Sequence, residues 1–405
     1  MVTVWLPNRD AGWAMPAAEP HDNGWIEGGR RTMHELAVAI ACTGRQVEFR
    51  GQMSVPVLEE LSAAAGVRVE LPAEPRVPDA GDTVIVNEGV ADARVYARLA
   101  LSPARAILLV LGPLGMFGWP FVAEPWVEPA FETMDLTSLS RPEHYAGAAA
   151  VGFELWSHTP AFARVAESAG ATCTLIGRGV PAPFPPPPRQ ETRDIDVLML
   201  ERSHWPDMSR RLAEKLDGLV TLPVSAHSKV LETLARTRVL AHPARVEALS
   251  RIGCEARAMG AVPVVLGSNP FAVGIGEEDG VLAVESVEEM PAAVTALVAD
   301  RDRLELLSQR GIETARAQVA WEPFVERVAA ALSSPPADAG RAARAGLGAA
   351  LAAGGGPGPE HVLAATRAEL AQHRVWLEAT NSSLSWRLTA PLRAAKRRVR
   401  GRPPG

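Results

Sequence analysis

Apolar positions along this chain alternate between short unbroken runs and stretches where they recur three or four apart. Runs of the first kind at 83–86 and 107–111, and shorter or alternating stretches at 2–6, 47–49 and 67–71, read as strands. Between them, 30–41 places Met33, Leu36, Ala37 and Ile40 on one helical face, and 55–65 and 92–101 keep the same spacing. The stretch 145–151 reads as the approach to a strand. A helix at 157–169 then opens on Ser157, His158, Thr159 and Pro160, a capping sequence with proline near the first turn. After four consecutive prolines, Pro185 to Pro188, which make a stiff extended connector, the alternation restarts. Strands are predicted at 195–200, 219–222, 239–241, 262–266 and 282–284. Helices are predicted at 210–216, 229–237, 250–259, 287–300, 301–319 and from Trp321 onward. Such alternation predicts an α/β protein with two mostly parallel sheets wrapped by helices, divided into domains 1–188 and 189–332.

Beyond residue 332 the pattern fails. The segment 333–360 is rich in Ala, Gly and Pro and reads as a flexible linker. Helical spacing returns at 361–405, where Leu363, Leu370, Leu377 and Leu384 form a seven-residue repeat that permits a homodimer. That tail ends with Trp386, Leu388, Lys396, Arg397, Arg398 and Arg400, a basic end suited to an anionic membrane face. A solvated, disordered tail is the competing reading.

Composition narrows the class. A chain of 405 residues exceeds one ordinary core, and its net charge of −6 argues against a nucleic-acid partner. Cys42, Cys173 and Cys254 form no CxxC pair and no framework, which fits a reducing cytoplasm. The histidines show no zinc spacing, so no metal is expected, and residues 1–10 lack the pattern of a secretory signal. The uncharged stretch 106–123 nears the length of a membrane span, yet Gly112, Pro113, Gly115, Gly118 and Pro120 would break such a helix. A strand running into a Gly/Pro loop explains it better.

The richest chemistry lies at 238–266, a strand, loop, short helix and strand that together make one βαβ unit. Its loop falls at the carboxyl ends of the strands, where open α/β sheets bind ligands. A helix that starts there near Ser250 and Arg251 offers unpaired backbone N–H groups to a diphosphate. Glu247 precedes that helix and could reach hydroxyls attached to the phosphate. Glu255 lies within it and could accept from a ribose diol. Gly260 closes the helix and Val262 to Leu266 follow as a buried strand. Gly28 and Gly29, at a strand-to-helix turn, would let the backbone approach a phosphate closely, with Arg30 and Arg31 beside them. Surface glutamates and an ordinary glycine turn are the bland alternatives.

The segment from His242 to Val265, with His242-Pro243-Ala244-Arg245-Val246-Glu247 and Glu255 through Met259-Gly260 to Pro263-Val264-Val265, resembles the donor-binding motif of retaining glycosyltransferases of family 4. These are GT-B enzymes, whose two Rossmann-like domains face a central cleft. Gly28-Gly29 before a helix carrying His34 and Leu36-Ala37 resembles a second element of that family. Ile176 to Val180 with Phe184-Pro185 resembles its inter-domain segment. The resemblance implies a nucleotide-sugar donor, a saccharide or lipid-linked acceptor, retention of configuration, no metal and no separate cofactor. It implies Glu247 as the catalytic residue facing the sugar, and Gly28, Gly29, Arg202, Ser250, Arg251 and Glu255 as donor-binding. It also implies a terminal helix, here from Trp321, that crosses back to the first domain. The tail resembles that of enzymes assembling bacterial cell-surface polysaccharide, which implies a cytoplasmic protein peripheral to the inner membrane face.

Two family positions are absent. Leu111-Gly112-Pro113 stands where a histidine often follows the strand, and no lysine follows Arg202 within 203–209. Those departures keep open a scaffold that retains the fold without catalysis. An isomerase or phosphorylase on the same plan is a third reading; the absence of a lysine-bearing cofactor motif weighs against the phosphorylase.

Overall fold

The computed structural model describes residues 1–6, 28–51, 54–71, 78–87, 99, 102–110, 143–150, 152–168, 170–182, 184–200, 206–223, 225–244, 251–267 and 276–335. Over these, the chain forms two Rossmann-like lobes, each built on a parallel sheet. The first lobe joins β1 (Val2–Leu6), β2 (Val47–Gly51), β3 (Thr83–Asn87), β4 (Arg105–Val110), β5 (Glu154–Ser157) and β6 (Cys173–Leu175) in the order β2-β1-β3-β4-β5-β6. Its helices are α1 (Gly28–Cys42), α2 (Val55–Ala65), α3 (Glu143–Ala150) and α4 (Pro160–Ser168). Alternate residues of β4 face opposite cores, as a strand covered on both sides requires. Ile107 and Leu109 pack with Met33, Leu36 and Ile40, while Leu108 and Val110 pack with Tyr145 and Phe162.

The second lobe repeats the plan with β7 (Ile195–Leu200), β8 (Leu219–Leu222), β9 (Thr237–His242), β10 (Val262–Leu266) and β11 (Leu282–Val284), ordered β11-β10-β9-β7-β8. Around them lie α5 (Pro206–Ala213), α6 (His227–Ala235), α7 (Arg251–Ala258), α8 (Met290–Ala299) and α9 (Arg301–Gln318). Here too β9 alternates, with Val239 and Ala241 in one core and Leu240 in the other. Arg193, at the base of the lobe, is buried and donates to the carbonyls of Thr237 at 2.6 Å, Met259 at 2.8 Å, Pro188 at 3.0 Å and Leu234 at 3.4 Å. It satisfies orphan acceptors near the ends of α6 and α7 that would otherwise be buried unpaired. Burial, with the charge of Arg238 acting the same way, lowers its pKa to about 10.

The last described helix, α10 (Trp321–Ser333), returns to the first lobe, and Phe324, Val328, Ala331 and Leu332 join the core of β1 and α1. Burying Phe324 and Val328 stabilises that return by roughly 1.5–3 kcal/mol each. Arg105 locks it from the sheet side, donating to the Leu332 carbonyl at 2.8 Å and to Glu154 at 2.6 Å. The connector between the lobes is clamped by the same helix. Arg327 Nε donates to the Ile176 carbonyl at 2.8 Å, and Val180 N donates to Val319 O at 3.1 Å. A side chain at Gly179 would meet the Phe324 ring at 2.5 Å, so only glycine fits beneath it.

Two local expectations are corrected. Residues 67–71 form no strand of their own; Glu70 makes only an isolated bridge to Glu48. Polar Arg68 and Glu70 flank a single buried Val69, so nothing rewards further pairing. Residues 143–150 form α3 rather than the approach to a strand, because Tyr145 and Ala148, three apart, bury against β4 and β5 while the small residues around them favour helix. The predicted helix at 92–101, the loop beyond β4, the linker at 336–360 and the tail at 361–405 lie outside the described residues. Among the described residues, no helix is long and apolar enough to cross a membrane, and no group of three or more His, Cys, Asp or Glu could hold a metal.

Candidate functional site between the lobes

Residues that follow strands of both sheets meet across the lobes, Arg251 with Glu35 and Arg178 with Cys254, and chemistry collects there. From the second lobe, α7 follows β9, beside the point between β7 and β9 where strand order reverses, the usual crevice of such sheets, and α6 follows the edge strand β8. The opposing lobe contributes α1 after β1, His158 after β5 and Arg178 after β6.

Arg251, the first residue of α7, spans the lobes. Its guanidinium pairs with Glu35 of α1 and, at 3.2 Å, with Glu255 one turn along its own helix. Glu255 Oε1 also accepts from His227 Nε2 at 2.8 Å, so that ring nitrogen carries the proton, since a carboxylate can only accept. Behind Glu35 stands Arg31, with 3.6 Å between Nε and Oε1, which reaches the exposed Glu60 at 3.1 Å. Glu35, Glu255 and Arg31 are almost fully buried. Burial alone would raise the Glu255 pKa. The bond from His227 and the charges of His227, Arg251 and Arg31 outweigh it and bring the value down to about 2, so Glu255 is an anion at any physiological pH. Burial works against the Arg251 cation, and the charges of Glu35 and Glu255 more than restore it.

Two further residues lie deeper. His158 Nδ1 lies 3.2 Å from the Val110 carbonyl and must donate to it, which leaves Nε2 as an acceptor. Burial first, then the charge of Arg178, drop the His158 pKa to about 3, and the ring stays neutral. Arg178 is buried beside α7 with Nη1 4.0 Å from Cys254 Sγ and, among the described residues, no carboxylate within ion-pair distance. Burial, then the like charge of Arg251, disfavour its cation, while Cys254, Glu35 and Glu255 help it. The set holds three guanidiniums and two imidazoles with two buried carboxylates and the exposed Glu60.

Of the residues singled out in the sequence, Glu255 and Arg251 meet at this junction, and Gly28 and Gly29 open α1, the helix that brings Glu35 to it. Glu247, Ser250 and Arg202 lie outside the described residues. Arg31 is engaged by carboxylates. His158, Arg178, His227 and Glu35 were missed. The histidine absent after β4 has a counterpart in space: His158 follows the neighbouring strand and caps the last residue of β4, a relation visible only once β4 and β5 pair.

No family model and no curated protein matches the sequence. Solved structures do. The chain is similar to Anabaena HepE in complex with UDP-glucose, with a TM-score of 0.53 at 12% identity, covering 83% of this chain and 100% of that one. It is similar to sucrose-phosphate synthase from Thermosynechococcus elongatus, with a TM-score of 0.54 at 12% identity, covering 82% and 98%. Against the crystal structure of TarM the TM-score is 0.45 at 9% identity, and the chain spans 55% of that protein's length. At these identities the likeness shows the architecture, two Rossmann-like lobes of the GT-B kind.

Proposed function

We propose that this protein is a glycosyltransferase that moves a sugar from a nucleotide-sugar donor to an acceptor hydroxyl, with retention and without a metal, in the manner of family 4. The observation that carries the reading is the chain Glu35–Arg251–Glu255–His227, which joins the lobes beside Arg178, a buried guanidinium with no carboxylate partner among the described residues. A cation held in a low-dielectric setting offsets the charge that develops on a departing diphosphate. The donor's diphosphate lies at the start of α7 near Ser250 and Arg251, aided by Arg202 and by the backbone at Gly28 and Gly29. Glu255 orients the ribose. Glu247 holds the hydroxyls of the transferred sugar, and the neutral His158 accepts from a further hydroxyl.

Support for the donor class comes from the fold neighbours, since the HepE structure holds UDP-glucose. The acceptor is a saccharide or a lipid-linked saccharide of bacterial cell-surface glycan assembly, approached from the first lobe. The basic end of the tail rests on the inner face of an anionic membrane, and its helical repeat supports a dimer. No separate cofactor takes part, because the leaving group arrives with the substrate.

The test is transfer itself. The full chain is incubated with UDP-, GDP-, ADP- and dTDP-sugars and a mixture of lipid-linked glycans, and release of nucleoside diphosphate is followed. Glu247→Ala should lower turnover by at least about a hundredfold while changing nucleotide affinity less than about threefold, the signature of an interaction made mainly in the transition state. Equal turnover in the two proteins would remove Glu247 from the chemistry.

A further inference from the structure

We infer that Arg178, on the connector between the lobes, is an anion-binding residue whose partner is a phosphoryl oxygen of the nucleoside diphosphate. This rests on the function proposed above for the source of the anion. Sequence alone gives no reason to choose this arginine, which sits in a short Gly-Arg-Gly run between lobes.

The argument begins with what a buried guanidinium requires. It carries five N–H donors and cannot shed its charge, so burial without an acceptor is costly. Arg178 is only 6% exposed. Among the described residues its one hydrogen-bond partner is the Cys254 thiol at 4.0 Å, a weak and distant acceptor, and its Nε is buried with no partner at all. The nearby cation of Arg251 adds repulsion, and the carboxylates that could relieve it, Glu35 and Glu255, are already committed to Arg251.

The backbone holds this unfavourable arrangement firmly. Gly177 is left-handed, with φ +73, and a side chain there would strike Arg327 at 2.7 Å. Gly179 fits under Phe324, Ile176 N donates to Ser157 O at 2.9 Å, and bonds from Arg327 to Ile176 O and from Val180 N to Val319 O pin the strand to α10 and the residues just before it. The backbone therefore holds the root of Arg178 at the junction. A cation fixed at a buried place, with its acceptor missing, is what preorganised anion recognition looks like. A bound phosphoryl group would supply the missing acceptors and the missing negative charge, and would couple nucleotide binding to the connector that sets the angle between the lobes.

Structural and ligand roles predict opposite signs on stability. Titration calorimetry and thermal unfolding are run on the full chain and on Arg178→Met, using UDP and inorganic pyrophosphate as probes. The expected result is a higher Tm for the ligand-free variant, because an uncompensated buried charge is gone, with affinity for both probes reduced at least about tenfold. Pyrophosphate affinity lost while UDP affinity is kept would assign the anion to a phosphorylated acceptor and overturn the donor assignment. Affinities of both probes within about twofold of the native protein would overturn the inference whatever the Tm does. If the native chain binds pyrophosphate through Arg178 but no nucleotide, the anion site stands and the nucleotide-sugar reading falls. Should Arg178→Met fail to fold, Arg178→Lys keeps charge and stem but loses the planar fork. Its affinity for UDP should drop measurably, and native affinity in that variant overturns the inference.

Discussion

Two buried arginines close together in sequence, Arg193 at the base of the second lobe and Arg178 at the junction of the lobes, have opposite surroundings. Arg193 meets four backbone carbonyls and serves as a keystone for the ends of α6 and α7. Arg178 meets a thiol. Both pay for leaving water, and only one is repaid within the protein. Nε is buried without a partner in both, so the contrast lies in the other nitrogens, which at Arg193 meet carbonyls and at Arg178 a weak acceptor. That contrast marks the base of the lobe as self-contained and the junction as the candidate site.

Removing the keystone gives the largest expected effect. Arg193→Met leaves four carbonyls without their donor, at roughly 1–3 kcal/mol for each that stays buried and dry. The chemical denaturation midpoint should fall sharply, by an amount worth about 3 kcal/mol or more, opposite in sign to the change expected at Arg178. A native midpoint would show that Arg193 is no better satisfied than Arg178 and would erase the contrast.

Glu255→Gln comes next. It keeps the shape and removes the charge that Arg251 and His227 share. Nucleoside diphosphate affinity should fall about tenfold, near the value of one hydrogen bond to a charged group, as read by calorimetry. Unchanged affinity would place Glu255 among the structural groups, with Arg193.

The smallest effect is in pH dependence. The His158 pKa of about 3 in the folded protein lies below the ordinary 6.5, so the unfolded chain takes up a proton that the folded protein refuses. Its contribution to stability is therefore complete above pH 6.5 and is lost as pH falls from 6.5 toward 3. Glu255 adds a separate loss between pH 4.5 and about 2, where its lowered pKa lets the unfolded carboxylate protonate first. His158→Asn, which keeps a donor for Val110 O, should flatten the stability profile between pH 6.5 and 4.5, lessen its slope from 4.5 to about 3, and leave the Glu255 loss in place. A profile identical to the native one would mean that the ring is charged or exposed.

Much of the fold was legible because period is a local property. Apolar runs such as 197–200 and 262–266 coincide with β7 and β10, since the part of a strand covered on both faces must be apolar, and the exposed Asp196 falls at the open start of β7. Segment 67–71 misled because a single buried valine in an alternating stretch resembles an edge strand, and only partners decide. For the site, Glu255 and Arg251 were legible from their place at the start of a helix after a strand. Glu35, His158, Arg178 and His227 were not, since each is joined to the others by contacts between segments far apart in the chain. One clue existed: Ser157-His158-Thr159-Pro160 reads as a helix cap, and Thr159 Oγ1 does accept from Phe162 N at 3.4 Å, but the cap hides the role of its histidine.

Everything turns on whether the junction of the lobes takes a nucleotide. Titration of the full native chain with UDP, GDP, ADP and dTDP, with heat recorded, addresses that directly. The account predicts saturable binding of one molecule per chain for at least one of these, weakened by added salt as expected for a site built on guanidinium–phosphate contacts. Four flat titrations from a folded protein would contradict it.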